Sequence, residues 1–217
     1  MIDPGHGGTV KLPGSAPNNA TSVSGVAEKV LTLDFGFCLR DALVAQAART
    51  GERITVALTR ETDVNVAGAA RAALVGALGA RAFLSLHFNG AADPAVRGSE
   101  TFYRAAEKGN VNPAPDIAFA GAVQAGLMAG MRAIDPAAKD RGVKPDSQSG
   151  PGGIGVLNDA ALGNLRRPRP AVAALAELEF ITHPRVDRLL VSGAAAQANR
   201  QAVAGRMAEA IRGYLSA

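Results

Sequence analysis

The sequence predicts one α/β domain, a mostly parallel central sheet flanked by helices. Two observations predict it. Short apolar runs alternate along the chain with longer stretches of helical periodicity. A length of 217 residues at 47% hydrophobic content is enough for one continuous core.

Each element follows from its local pattern. Met1 to Asp3 reads as a very short strand, ended by the turn formers Pro4, Gly5, Gly7 and Gly8. From Gly25 to about Thr50, Val26, Val30, Leu33 and Phe37 recur at steps of four, three and four, which predicts a helix with one buried stripe. Ser24 is its expected cap, because a hydroxyl there can accept from an open backbone amide. A strand is expected over Ile54 to Thr59, and a helix over Val64 to Leu78 that stops at Gly79. Strands follow at Ala82 to His87 and Gly98 to Tyr103, then a helix at Ile117 to Arg132 and a strand at Ala173 to Phe180. The last helix, Ala194 to Leu215, carries Val203, Met207, Ile211 and Leu215 on one face and should dock on the sheet. "RAAEKGNVNPAPD" and "RGVKPDSQSGPGGIGVLNDAALGNLRRPRP" read as irregular.

A net charge of +4 suits an anionic partner. Nucleic acid is disfavoured: Lys and Arg are scattered apart from "LRRPRP", and aromatics are only 4%, too few for a stacking platform. Cys38 is the only cysteine, so a disulfide within the chain is excluded and metal ligands must come from His, Asp or Glu. Its apolar neighbours predict a buried thiol. No membrane span or signal peptide is expected from the apolar runs. The chain enters its first motif at residue 2, so a trimmed or mature form is expected.

The residues that carry chemistry begin at "MIDPGHGG", where glycines let the backbone turn steeply and project His6 from a strand end. His87 ends the strand in "RAFLSLHFNG"; if the two strands are neighbours, both imidazoles reach one sheet edge, a usual place for a site. Two histidines hold a divalent metal only weakly, and a catalytic zinc usually takes three protein ligands. Glu28, in the first turn of the helix after the His6 loop, is either a solvated carboxylate complementing the helix dipole or the third ligand. In "AVAALAELEFITHP", Glu177 and Glu179 share a face by period two, and buried carboxylates need a partner or a purpose. An ion pair with an arginine such as Arg185 is one reading. A general base that passes a proton to a leaving nitrogen is the other.

"IDPGHGG", "GVAEKVLTLDFGFCLRDAL", "LTRETD" with Arg71, "FLSLHFNG", "RGSETFY", "DRGVK" and "AELEFITHP" occur in the order found in zinc-dependent N-acetylmuramoyl-L-alanine amidases of the third amidase family, which the chain resembles over its whole length. The resemblance implies a single amidase catalytic domain over residues 1–217. It implies Zn2+ held by His6, Glu28 and His87, with Glu177 as the catalytic glutamate. The implied substrate is peptidoglycan, cut at the amide between N-acetylmuramic acid and L-alanine by a monomer in the periplasm or cell wall, or by a phage lysin. Asn89 and Glu179 are further candidates for substrate contact. The other reading is a peptidoglycan-binding or regulatory protein on an amidase-like fold.

Several residues depart from the family pattern. Glu179 occupies the glycine of "E-x-G-F", and His183 stands where asparagine is common. Val75, Gly76 and Arg81 replace an Ala-Asn pair and an aspartate. None of them is an implied ligand.

Overall fold

In the computed structural model, which describes residues 1–150, 152–162 and 170–217, the chain runs through β1 (Ile2–Pro4), α1 (Glu28–Thr50), α2 (Gly68–Ala77), β2 (Ala82–Asn89) and β3 (Ser99–Tyr103). It continues through α3 (Pro113–Ile134), β4 (Asp140–Pro145), the single turn α4 (Gly155–Asn158), β5 (Val172–Phe180), the short α5 (Pro184–Asp187) and α6 (Ala196–Ser216). The strands form one sheet in the order β1, β2, β5, β3, β4. All neighbours are parallel except β3 and β5. The carboxyl ends of β1, β2 and β5 therefore share an edge with the amino ends of β3 and β4.

Strand alternation divides the core into two layers. Ala174, Ala176 and Leu178 of β5, with Leu84, Leu86 and Phe88 of β2, face α1 and α3, and α6 packs mainly on those two helices rather than on the sheet itself. Phe83, Ala173, Leu175 and Phe102 face α2 and α4 through Ala72, Val75, Val156 and Leu157. Val203, Met207 and Ile211 of α6 are buried as the periodicity predicts.

α1 buries a different stripe from the expected one. Leu31, Phe35, Leu39 and Leu43 are enclosed, whereas Val30 is 51% exposed. Both stripes have helical spacing, but only the observed one keeps Glu28 inward as well. Each of the buried side chains contributes roughly 1.5–3 kcal/mol. Ser24 does not cap α1; its amide and hydroxyl both donate to Asp187 Oδ1, at 3.0 and 2.7 Å. Cys38 is half-buried rather than buried, and burial together with the nearby Asp34 carboxylate pushes its thiol up to about 11.

Ile54 to Thr59 is not a strand. It makes one bridge, with Ile2 N donating to Ala57 O at 2.9 Å and Thr59 N to Ile2 O at 3.0 Å. The next donor on β1 would be residue 4, a proline with no N–H, and the ladder stops there. α2 starts at Gly68 rather than Val64. In the stretches read as irregular, Pro113 opens α3, since an N-terminal turn needs no donor there, and Asp140–Pro145 forms edge strand β4. The "LRRPRP" cluster lies outside the described residues except for Pro170. α3 has the length and composition of a membrane span, but 50% of its apolar window is buried inside the domain, as in a core helix.

Candidate active site

His6, Glu28 and His87 converge at the carboxyl ends of β1 and β2, and their ligand atoms lie within 4.8 Å of one another. Glu28 Oε1 is 3.1 Å from His6 Nε2 and 3.1 Å from His87 Nδ1. The backbone amides of Ala20 and Phe88 donate to the same carboxylate at 2.9 and 3.0 Å. Burial alone would raise the Glu28 pKa, but the two imidazoles outweigh it and bring it down to about 2. The first-turn carboxylate is therefore not solvated.

The His6 loop is held by two buried arginines. His6 sits at φ 62°, a left-handed conformation that costs a side-chain-bearing residue about 1–2 kcal/mol. Arg71 donates to Pro4 O and His6 O, both at 2.7 Å, and to Asp3 Oδ1 at 2.7 Å. Arg60 donates to Pro4 O at 3.0 Å, Gly5 O at 2.9 Å and Lys29 O at 2.7 Å. Asp3 thus orients the loop through Arg71, not by touching the ring. Gly5 is required by close approach, since a Cβ there would overlap the His87 ring.

The donor set fits a divalent metal. His6 Nδ1 is engaged with Ala16 O at 3.0 Å, while Nε2 is buried without a hydrogen bond among the described residues and faces the Glu28 carboxylate. A buried nitrogen beside a carboxylate and a second imidazole suits coordination of a divalent ion.

Glu177 stands beside this group, its Cα paired with that of His87 across the β2/β5 ladder. Its Oε2 is buried and has no hydrogen-bond partner among the described residues. Burial first, and then the charges of Glu28 and Glu100, raise its pKa well above the carboxylate range. Glu177 lines a cleft of about 250 Å3 together with Gly5, His6, His87, Phe102 and Leu175. A larger hollow, about 530 Å3, opens at the far end of β1 and β2, but among the described residues its lining has no histidine and one side-chain carboxylate, Glu52.

Glu179 does not join the group. One residue more on β5 than on β2 separates the His87/Glu177 and Asn89/Phe180 pairs, which breaks the period-two alternation. Glu179 is fully buried; Oε1 accepts from Arg97 Nη2 at 2.8 Å, and Oε2 accepts from the amides of Gly98 at 2.6 Å and Phe180 at 2.9 Å. It has no surface left for a substrate, and that expectation is corrected. Its partner is Arg97, while Arg185 pairs with Asp135 at 2.9 Å. His183 caps α5, accepting from Arg185 N at 3.2 Å. Asn89 donates to Glu100 Oε1 at 2.9 Å. Glu100, which the motif "RGSETFY" carries without any local sign of a site, lies opposite Glu177 in the β3/β5 ladder.

Two imidazoles and a buried carboxylate converge on this α/β domain in a cluster that could hold a metal, beside an acid with an oxygen that has no partner among the described residues. The chain belongs to the N-acetylmuramoyl-L-alanine amidase family, whose profile matches residues 1–212. It is 34% identical over 89 residues to the N-acetylmuramoyl-L-alanine amidase CwlM of Bacillus licheniformis, a match covering 41% of this chain and 30% of that protein's length. The fold is similar to that of an N-acetylmuramoyl-L-alanine amidase from Clostridium difficile 630, with TM-score 0.74 and 23% identity over 100% of this chain and 95% of that one. It is also similar to Ami1 from Mycobacterium smegmatis, with TM-score 0.70 and 23% identity over 99% and 95% of the two chains.

Proposed function

We propose that the protein hydrolyses the amide between N-acetylmuramic acid and the L-alanine of the peptidoglycan stem, acting in the periplasm or cell wall. The observation that carries this reading is the convergence of His6, Glu28 and His87 beside Glu177, whose Oε2 has no partner among the described residues, in a chain of this family. His6, Glu28 and His87 would hold one Zn2+, since two imidazoles and a carboxylate leave a fourth position open. Bound there, zinc supplies Lewis-acid polarisation and lowers the pKa of water toward neutrality.

The chain's own residues do the rest. Glu177 takes the proton of the attacking water and delivers it to the alanine nitrogen as the C–N bond breaks. Its enclosure raises its proton affinity above that of an ordinary carboxylate, which favours the transfer. Arg60 and Arg71 hold the His6 loop, so that the ligand does not relax out of its left-handed conformation.

The test is digestion of purified peptidoglycan with zinc-loaded protein, with new ends identified by mass spectrometry and amine labelling. New L-alanine amino groups on intact glycan strands are expected, lost on chelation and restored by zinc. New reducing sugar ends, or ends within the stem, would overturn the bond assignment. Tight binding without cleavage would favour a peptidoglycan-binding role.

A further inference from the structure

The active-site row continues across the sheet beyond Glu177. His87, Glu177 and Glu100 are register partners on β2, β5 and β3, so their side chains share one face, and Gly142 of β4 extends the row. At its far end, Arg141 Nε and Lys144 Nζ both donate to a single oxygen, Glu100 Oε2, at 2.9 and 2.5 Å. The other oxygen of Glu100 is taken by Asn89. Two cations share one carboxylate, and Lys144 is the register partner of Phe102, which lines the cleft.

The fold makes specific provision for Arg141. Between the Ser99/Asp140 and Glu100/Gly142 pairs, β4 carries one extra residue, Arg141 itself. Such a bulge re-aims a side chain that would otherwise alternate to the other face. Gly98 leaves room for its stem, since a Cβ there would lie 2.7 Å from Arg141 Cγ. The guanidinium rests over the Phe180 ring, 5.2 Å from its centroid. It is thereby fixed in plane and position, yet its two terminal nitrogens have no partner among the described residues, and the side chain is 37% exposed. Lys144, 25% exposed, uses one of its three donors.

We infer that Arg141 and Lys144 form a carboxylate subsite for the stem peptide. The inference rests on the proposed amidase reading and names a specificity determinant within it. A fixed guanidinium with a free fork matches a carboxylate in two parallel hydrogen bonds, and the neighbouring ammonium adds charge. Neighbouring strands lie ~4.8 Å apart, so the subsite is about 5–10 Å from Glu177. An extended peptide covers that in about two to three residues. The carboxylate therefore belongs to the second or third stem residue, counting L-alanine as the first.

The test uses zinc-loaded full chain and three soluble muropeptides: one with all stem carboxylates free, one amidated at the second residue, one amidated at the third. One of the amidated substrates should show KM about tenfold higher with kcat unchanged, which identifies the residue bound. Arg141→Gln and Lys144→Gln should raise KM for the free substrate and lose the discrimination. Equal KM for all three substrates, or discrimination retained in both variants, overturns the subsite. Calorimetry with the same three ligands on the wild type separates the two readings. A tenfold preference in Kd without any cleavage keeps the subsite and overturns the activity; equal Kd values overturn the subsite.

Discussion

Replacing Glu179 with glycine, the residue the family pattern carries there, should destabilise the protein by about 3–5 kcal/mol, because it removes one partner of a buried pair. From the pattern alone, a return to glycine should be mild. The structure predicts the opposite. Glu179 is fully enclosed, and its removal strips Arg97 of two hydrogen bonds, at 2.8 and 3.2 Å. Arg97 keeps only Asp135, at 2.8 Å, and Asp135 already receives Arg185. The amides of Gly98 and Phe180 also lose their acceptor, at about 1–3 kcal/mol for each buried donor that water cannot reach. Water entering the vacated space offsets part of this, which holds the total near the cost of breaking the pair. Urea denaturation measures it, provided the m-value is unchanged. Arg97→Leu combined with Glu179→Gly should recover much of the loss, since no buried charge is then left unpaired and Asp135 retains Arg185. A loss under about 1 kcal/mol in the single variant would refute the reasoning, because it lies below the cost of even one stranded donor.

Other consequences follow from the same geometry. Ala at His6, Glu28 or His87 should lower zinc occupancy by elemental analysis, and full retention in all three would remove the proposed ligand set. Glu177→Gln should keep zinc and lose on the order of 10²- to 10⁴-fold in cleavage rate. In the metal-free protein, Glu28 is depressed from 4.5 to about 2, so its stabilising contribution is complete above pH 4.5 and is lost as the pH falls toward 2. Glu177 has the opposite sign: the folded carboxyl holds its proton where the unfolded one has released it, so stability falls as pH rises above 4.5. Glu177→Gln should therefore raise the metal-free Tm at pH 7.5 and leave it unchanged near pH 4. Gly5→Ala should weaken zinc binding by displacing His87, a change visible by titration with a chelator in competition while the far-UV spectrum stays native.

The convergence of His6 and His87 was legible because they sit in a glycine turn and at a strand end whose local chemistry is unusual, as with His6 between Gly5 and Gly7. The sheet was legible where strands are buried on both faces, as in β2 and β5. Ile54 to Thr59 misled because its composition suits a strand, while its neighbour ends in Pro4 after one bridge. β4 was hidden for the reverse reason: "DRGVKP" is half-exposed and holds glycine and proline, and only pairing with β3 makes it a strand. The α1 stripe could not be read locally, because two apolar series share the helical period and the packing of α6 and the site selects one. Glu179 was misplaced by counting in twos through a bulge that only the β2 register reveals.

The arrangement of charges around Glu177 follows from that register. Two cations, Arg141 and Lys144, lie on the same face of the sheet, and an ion pair with either would hold Glu177 ionised and weaken it as a proton acceptor. Glu100 stands between, on β3, and takes both cations on one oxygen. Its pKa is lowered accordingly: burial would raise it, and Lys144 and Arg141 outweigh the burial. The resulting negative charge then adds to that of Glu28 in opposing ionisation of Glu177. One carboxylate thus keeps the cations available for an anionic ligand and keeps them off the proposed base. Glu100→Gln should uncouple the two effects, raising Glu177 acidity while leaving Arg141 in place over Phe180. The acidic limb of the pH profile for kcat/KM should move to lower pH, with zinc occupancy unchanged; a profile that does not move would show that Glu100 has no influence on the proton carried by Glu177.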